Sequence, residues 1–113
     1  MGDDVEYHIK FKLWIEKDGD IIIGLGRDKL LGEIEKTGSI SKAAKNVGMS
    51  YKKAWSFLKT MENRLGVKLI KTRRGGKKGG GTELTEDAKK LLAEFEKIST
   101  AFENLKEQLE KNG

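Results

Sequence analysis

Residues 39–55, with the sequence SISKAAKNVGMSYKKAW, contain two short helical patterns on either side of a break at residues 48–50. Ser41 is predicted to cap the first helix and Ser50 the second, because each hydroxyl can accept a hydrogen bond from a backbone N–H that has no partner within its helix. Gly48 can adopt the left-handed backbone conformation that ends the first helix. Two short helices joined by a tight glycine turn predict a helix-turn-helix.

The second of these helices has one side that is predicted to be buried. Apolar residues recur at spacings of four, three and four positions, which gives a stripe of Ala54, Leu58, Met61 and Leu65. The residues predicted to face elsewhere are Tyr51, Lys52, Lys53, Ser56, Lys59 and Asn63. The same pattern also fits a helical hairpin that binds nothing, so a second observation has to separate the two interpretations.

The distribution of charge is that second observation. The chain has 23 Lys and Arg residues and 18 Asp and Glu residues, and residues 42–78 hold twelve of the bases but a single acid, Glu62. The rest of the chain is therefore net acidic. A solvated surface usually mixes both signs, so this segregated positive charge indicates a surface that binds the phosphates of nucleic acid.

A glycine-rich basic loop follows the second helix. Residues 67–71 are predicted to form a strand and residues 82–84 its antiparallel return, with the sequence TRRGGKKGGG between them. The loop lacks the G-x-x-x-x-G-K-[ST] order of a nucleotide-phosphate loop, and no helix starts directly behind its glycines. A wing that follows a DNA groove needs only donors on an adaptable loop. The wing is therefore preferred, with Arg73, Arg74, Lys77 and Lys78 as its bases.

The amino-terminal part of the chain predicts a hairpin and one more helix. Apolar and polar residues alternate over residues 5–16, which predicts a half-buried strand with His8 on its solvent side, and residues 21–23 can pair back on it. A helix then carries Leu30, Leu31 and Ile34 inward and ends at Gly38. The preceding Gly-Leu-Gly is interpreted as a loop, because the dinucleotide pattern requires glycine where this chain has lysine.

The last helix carries a seven-residue repeat. Thr85 is predicted to cap a helix that runs to about Lys111, roughly 40 Å at about 1.5 Å per residue. Its seam consists of Ala88, Leu91, Phe95, Ile98, Phe102, Leu105 and Leu109. This helix could pack only on its own domain, but it is longer than a small winged domain can cover, so self-association is the preferred interpretation. The predicted dimer interface is Leu91, Phe95, Ile98, Phe102, Leu105 and Leu109.

Composition argues against several other classes of protein. The chain has no cysteine and one histidine, so we expect neither a metal site nor a cofactor. We find no His-activated serine and no pair of carboxylates in a pocket-like context, so we do not expect an enzyme. No apolar run is long enough to span a bilayer and no leader is recognisable, so we expect a cytoplasmic, nucleoid-associated protein with no membrane partner.

Residues 30–92 resemble the DNA-binding half of ModE-type molybdate-responsive transcription regulators, which in this region are related to LysR-type regulators. The resemblance rests on TGSISKAAKNVGMSYKKAW, on the Leu-x-x-Met-Glu run before LGVKLI, and on the RRGGKKGGGTELT wing. It implies that Tyr51, Lys52, Lys53 and Ser56 enter the major groove and that the last helix pairs two subunits. In that family the oxyanion is sensed by separate carboxy-terminal domains, and we expect none within residues 1–113.

These observations predict a mainly α fold with small β-hairpins. Residues 1–84 would form a winged helix-turn-helix with an amino-terminal β-hairpin, and residues 85–113 a long dimerisation helix. The predicted function is sequence-specific binding of double-stranded DNA by a homodimeric transcription regulator, which the resemblance links to molybdate or metal-oxyanion metabolism. The predicted DNA-binding residues are Ser41, Lys42, Lys45, Ser50, Tyr51, Lys52, Lys53, Ser56, Lys59, Arg73, Arg74, Lys77 and Lys78.

Within that set we expect different roles. Tyr51, Lys52 and Ser56 are the candidates for base edges. The residues expected mostly to neutralise phosphate are Lys42, Lys45, Lys52, Lys53 and Lys59. Two alternatives remain open: a sequence-indifferent architectural nucleic-acid-binding protein, and a DNA-binding or interaction subunit of a larger complex controlled by a separate sensor protein or small ligand.

Overall fold

A computed structural model describes residues 6–73 and 81–112. Its elements are β1 (Trp14–Lys17), β2 (Asp20–Gly24), α1 (Arg27–Thr37), α2 (Ile40–Val47), α3 (Tyr51–Leu65), β3 (Ile70–Arg73), β4 (Gly81–Leu84) and α4 (Glu86–Asn112). The strands form two separate antiparallel pairs, β1 with β2 and β3 with β4. The predicted class, a mainly helical winged helix-turn-helix with small hairpins and a long last helix, is confirmed. No helix in the described ranges has the length and apolar character needed to cross a membrane.

The amino-terminal hairpin is shorter than predicted. The alternation over residues 5–16 predicted a strand of twelve residues, but β1 occupies only its end and one residue beyond it. The reason is the partner: β2 has five residues, so residues further upstream have no strand to pair with. The turn itself uses Asp18 and Gly19 with φ of 52° and 84°, the left-handed pair that matches the twist of a tight hairpin.

The segment before β1 lies against the far end of α4 instead. The backbone N–H of Ile9 donates to a carboxylate oxygen of Glu110 at 2.7 Å. The rings of Phe11 and Phe102 lie 6.2 Å apart, centroid to centroid, in a tilted arrangement. His8 is exposed, as the sequence predicted. The alternating pattern therefore marks a segment that covers part of a helix, not a second half of a sheet.

The core forms where α1, α2 and α3 pack together with β2 and the start of α4. Leu30, Leu31 and Ile34 of α1 are completely buried, which confirms the predicted inward face of that helix. Burial of each such side chain stabilises the fold by about 1.5–3 kcal/mol. The other buried apolar residues are Ile22, Ile23, Ile40, Ala43, Ala44, Ala54, Leu58, Met61, Leu69, Leu84, Ala88, Leu92 and Phe95.

The turn between α2 and α3 has the predicted glycine geometry. Gly48 adopts the left-handed conformation, with φ of 77°, and its N–H closes α2 by donating to carbonyl oxygens of the last turn. Ser50 caps α3, since its hydroxyl oxygen accepts from the N–H of Lys53 at 3.1 Å. These contacts fix the start of α3 relative to α2.

The cap of α2 is Ser39, so the prediction of Ser41 is wrong. The Ser39 hydroxyl oxygen accepts from the N–H of Lys42 at 3.1 Å, whereas Ser41 lies inside the helix with an exposed side chain. A cap residue needs an extended backbone, and Ser39 has it, with φ of −148° and ψ of 123°, directly after the left-handed Gly38.

The two halves of α4 have different surroundings. Thr85 caps the helix, because its hydroxyl oxygen accepts from the N–H of Ala88 at 3.2 Å. Ala88 and Phe95 of the predicted seam are buried in the core, and so is Leu92, which the seam does not include. Further along the seam the side chains of Phe102, Leu105 and Leu109 are 48%, 50% and 53% exposed. About half of α4 therefore completes the domain, and the other half extends from it.

Candidate nucleic-acid interface

The solvent side of α3 carries the predicted recognition residues. Tyr51, Lys52, Lys53 and Ser56 are all exposed and follow the Ser50 cap within the first two turns. Ala54 and Leu58, on the opposite side, are completely buried and hold the helix on the core. Because the buried stripe fixes the rotation of α3, Lys52 and Ser56 face outward, while Tyr51 and Lys53 lie toward its two flanks.

The charge on this surface has one sign. α2 contains no acidic residue, and the only acid of α3, Glu62, is buried. Lys42 and Lys45 are exposed on α2 and add to the lysines of α3. A surface of exposed donors without carboxylates is suited to a polyanion.

Lys59 differs from the other predicted bases. Its ammonium group donates to a carboxylate oxygen of Glu62 at 3.3 Å and lies 4.5 Å from the centre of the Trp55 ring. The side chain is directed along its own helix, so Lys59 is less free to reach a phosphate than Lys52. Lys59 stays a predicted DNA contact, but its ammonium group already forms an ion pair with Glu62 within α3.

Glu62 connects α3 to the wing. Its other carboxylate oxygen accepts from the backbone N–H of Leu69 at 2.8 Å, immediately before β3. Burial raises the pKa of this carboxyl, but hydrogen bonds from the amides of Leu69 and Ile70 and from Lys59 outweigh burial, so the pKa is lowered from its ordinary value. The buried group is thus ionised and holds the base of the wing on α3.

The wing strands pair in the predicted antiparallel sense, with Ile70 opposite Leu84 and Arg73 opposite Gly81. The predicted first strand, residues 67–71, lies about two residues too early, because the Leu69 amide is held by Glu62 and pairing begins at Ile70. The wing bases Arg74, Lys77 and Lys78 lie outside the described residues.

Arg73 is at the base of the wing, against the turn that leads into α2. A Cβ atom added to Gly38 would lie 3.0 Å from its Nη2, and one added to Gly81 only 2.8 Å, so both glycines leave room for the guanidinium group. The Arg73 Nε lies 3.9 Å from a Glu83 carboxylate oxygen. The N–H of Thr82 donates to the carbonyl oxygen of Gly38 at 2.8 Å and ties β4 to the same turn. Arg73 therefore has a packing role besides its predicted contact with DNA.

Two residues near this surface were not predicted from the sequence. Trp55 is 40% exposed beside Tyr51, where its spacing from the buried stripe could have identified it. Arg27, at the start of α1, lies with its guanidinium carbon 4.3 Å from the centre of the Phe57 ring. Arg27 is outside the basic window of residues 42–78, so no local charge count would include it.

The described elements define a winged helix-turn-helix: α2 and α3 form the helix pair, and β3 with β4 forms the base of the wing. A family model described as a bacterial regulatory helix-turn-helix protein of the lysR family matches residues 29–89. The chain therefore belongs to this family.

Several relatives have names that refer to molybdenum. The molybdenum-pterin-binding protein MopB of Rhodobacter capsulatus is 41% identical over 90 residues, which are 80% of this chain and 33% of MopB. The transcriptional regulator ModE of Haemophilus influenzae is 39% identical over 92 residues, 81% of this chain and 36% of that regulator. The molybdenum transport protein ModE of Herbaspirillum seropedicae is 48% identical over 69 residues, 61% and 26% of the two chains. This chain spans about a third of the length of these relatives.

Proposed function

We propose that this chain binds double-stranded DNA as part of a transcription regulator, with α3 in the major groove and the wing beside it. The observation that carries the proposal is the exposed surface of α2 and α3, which presents lysines and hydroxyls and no carboxylate. Tyr51, Lys52 and Ser56 would contact base edges, while Lys42 and Lys45 would contact phosphate. On this proposal the protein works in the cytoplasm, at the nucleoid.

The decisive experiment is selection of bound duplexes from a random pool. A sequence-specific regulator yields a motif, and the spacing of its halves reports the geometry of the bound protein. Early in α3 there is no Asn, Gln or Arg to form a bidentate base contact, so sequence preference would rest largely on the wing and on the shape of the DNA. Recovery of no motif, together with strong salt-dependent binding, would support the architectural alternative instead.

A pair of variants tests the proposed base contacts. Lys52→Ala and Ser56→Ala should each weaken the selected site more than random DNA, by about 1–3 kcal/mol for a good contact. Lys90→Ala removes an exposed lysine from α4 and is the matched control. Equal loss on both DNAs would assign Lys52 and Ser56 to phosphate contacts.

We propose further that residues 85–113 make the protein a homodimer. Phe102, Leu105 and Leu109 are about half exposed on one side of α4, and Tyr7 and Phe11 beside them are 44% and 39% exposed. Large apolar side chains grouped on one helix face are typical of an association surface. A second copy fits it, because a seven-residue repeat on one helix is self-complementary around a two-fold axis.

The dimer is tested with charge-matched double variants. Leu105→Asp with Leu109→Asp places like charges on the exposed seam, whereas Thr100→Asp with Asn104→Asp adds the same charge on the opposite side of the helix. Light scattering should report a monomer for the first protein and a dimer for the second. A dimer in both cases would contradict the proposed interface, and a monomeric parent protein would favour a partner of another kind.

We propose that the regulated genes belong to molybdate or metal-oxyanion metabolism. The support is the set of relatives named for molybdenum transport or molybdenum-pterin binding. The motif obtained by selection should occur upstream of such genes in the source genome. A motif found only near unrelated genes would leave the DNA-binding proposal intact and remove this one.

A further inference from the structure

Two cationic side chains stack on one phenylalanine on the side of α3 away from the wing, and a third lies further along the same side. The guanidinium carbon of Arg27 lies 4.3 Å, and the ammonium nitrogen of Lys53 5.6 Å, from the centre of the Phe57 ring. Arg64 follows Phe57 by seven residues, two helical turns, and so lies on the same side of α3. We call Arg27, Lys53, Phe57 and Arg64 the Phe57 cluster.

No ion pair among the described residues neutralises the positive charge of the Phe57 cluster. None of the salt bridges formed by residues 6–73 and 81–112 involves Arg27, Lys53 or Arg64. The Nε of Arg27 is buried without a hydrogen-bond partner in the same ranges. Arg64 uses one nitrogen to donate to the carbonyl oxygen of Ile21 at 2.6 Å, which fixes it in place. Burial, and then the charge of Arg64, lower the pKa of Arg27, so an anion at this position would relieve an existing repulsion.

The cluster and the wing lie on opposite sides of the recognition helix. Trp55, Lys59 and Glu62 occupy the side of α3 that joins the wing through Leu69. Lys53, Phe57 and Arg64 occupy the other side, as their positions around the helix require. A helix in the major groove has a phosphate backbone along each of its sides, so the side opposite the wing faces the second strand.

We propose that Arg27 and Lys53 together bind a backbone phosphate of the DNA strand opposite the wing, and that Phe57 holds both cations in position. The stacked guanidinium group loses little freedom on binding and presents its remaining N–H groups to one phosphate. Lys53 is exposed and Arg27 partly exposed, so the phosphate does not need a rearranged domain. This inference rests on the proposed binding of DNA by α3.

The test is the salt dependence of DNA binding by Arg27→Gln. Loss of one phosphate contact should lower affinity roughly 10-fold at low salt and flatten the plot of log K against log salt by about one unit, equally for all duplex sequences. Lys29→Gln removes an exposed lysine from the opposite side of α1 and is the matched control, with an unchanged slope expected. Arg27→Lys keeps the charge and should keep most of the slope.

A double variant tests whether the two cations share one phosphate. If they do, Arg27→Gln with Lys53→Gln should lose clearly less affinity than the product of the two single losses. A Lys53→Gln protein also carries the test alone if Arg27→Gln fails to fold, since Lys53 is on the surface. A methylphosphonate replaces one charged backbone phosphate with a neutral group. At one position, on the strand opposite the wing, this replacement should remove the difference in affinity between the parent protein and Arg27→Gln.

The outcomes separate this inference from the proposed function. A parent protein without salt-dependent DNA binding would overturn both. A parent that binds DNA, with an Arg27→Gln variant that melts at lower temperature but keeps the full salt slope, would leave the proposed function in place. In that case Arg27 only packs α1 against α3, and the phosphate site is refuted.

Discussion

Replacement of Glu62 with alanine should detach the base of the wing from α3. The carboxylate of Glu62 is 6% exposed, and its shortest hydrogen bonds come from the Leu69 amide at 2.8 Å and from Lys59 at 3.3 Å. Alanine removes both acceptors. The buried N–H of Leu69 is then left without its side-chain partner. Lys59, whose side chain is 40% exposed, can be hydrated by water in place of its ion pair.

The size of the effect follows from these two contacts. A hydrogen bond to a charged group contributes about 1.5–3 kcal/mol, and the loss of a surface-accessible ion pair adds less than about 1 kcal/mol. The expected loss in the free energy of unfolding is about 2–3 kcal/mol. For a domain of this size that corresponds to a fall in Tm of roughly 10 °C. Glu62→Gln keeps an acceptor for the Leu69 amide and should lose about half as much.

Thermal melting followed by circular dichroism measures this difference. All proteins are compared at one concentration, because association would make Tm depend on concentration. Glu94→Ala, an exposed glutamate of α4 with no ion pair among the described residues, is the control. A Glu62→Ala protein that melts within about 2 °C of this control would refute the role of Glu62 as the link to the wing.

The lowered pKa of Glu62 gives the same test a pH dependence. Because the folded-state pKa lies below the unfolded value, the stabilisation by the charge is complete above the unfolded pKa and is lost as pH falls through the folded one. The gap in Tm between the parent and Glu62→Gln should be constant near neutral pH and narrow below about pH 4.3. A gap that does not change down to about pH 3 would contradict this electrostatic account.

Three further predictions concern the fold and the wing. Gly24→Ala should prevent stable folding or lower the free energy of unfolding by more than about 2 kcal/mol, because the added Cβ would lie 2.5 Å from a carbonyl oxygen just before β1. Gly48 also has a left-handed φ, but an added Cβ would meet open space, so Gly48→Ala should lower the free energy of unfolding by only about 1 kcal/mol in chemical denaturation. Leu58→Ala should cost about 2–5 kcal/mol in the same assay, since Leu58 is completely buried; a loss below about 1 kcal/mol would contradict its place in the core. Lys77→Ala and Lys78→Ala should each flatten the salt dependence of DNA binding by about one unit on every sequence, and an unchanged slope would remove the wing from the interface.

Local patterns in the sequence predicted most of the fold. The inward face of α1, the left-handed Gly48 and the Ser50 cap all follow from contacts within one turn or one helix. The strand over residues 5–16 was wrong in length because alternation records which residues meet an apolar surface, not whether that surface is a strand or a helix. Ser39 and Ser41 are both suitable cap residues by type. Ser39 is the cap because, directly after the left-handed Gly38, it has the extended backbone that a cap requires.

The candidate interface was harder to predict from the sequence, because part of it depends on contacts between residues that are far apart in the sequence. Charge segregation located the surface, but it counts residues that are close in sequence, and Arg27 reaches Phe57 only through the packing of α1 on α3. A count of charges also treats every Lys and Arg residue as equally free to contact DNA. Lys59 is as basic as Lys52, yet its ion pair with the buried Glu62 directs it along the helix, and only three-dimensional contacts show this.

The seven-residue repeat of α4 specifies an apolar face without specifying what covers it. In this chain the same face meets two environments: Phe95 is buried in the core of its own domain, whereas Leu105 and Leu109 remain half exposed. The first half of α4 therefore stabilises the domain, and its second half is available for association. If a second copy covers the exposed part, the two recognition helices acquire a fixed separation, and the repeat should impose half-sites about one turn of DNA apart, ~34–36 Å. Loss of the exposed seam should then reduce affinity for a palindrome much more than affinity for one half-site, because the fold that holds α3 does not depend on Leu105 or Leu109.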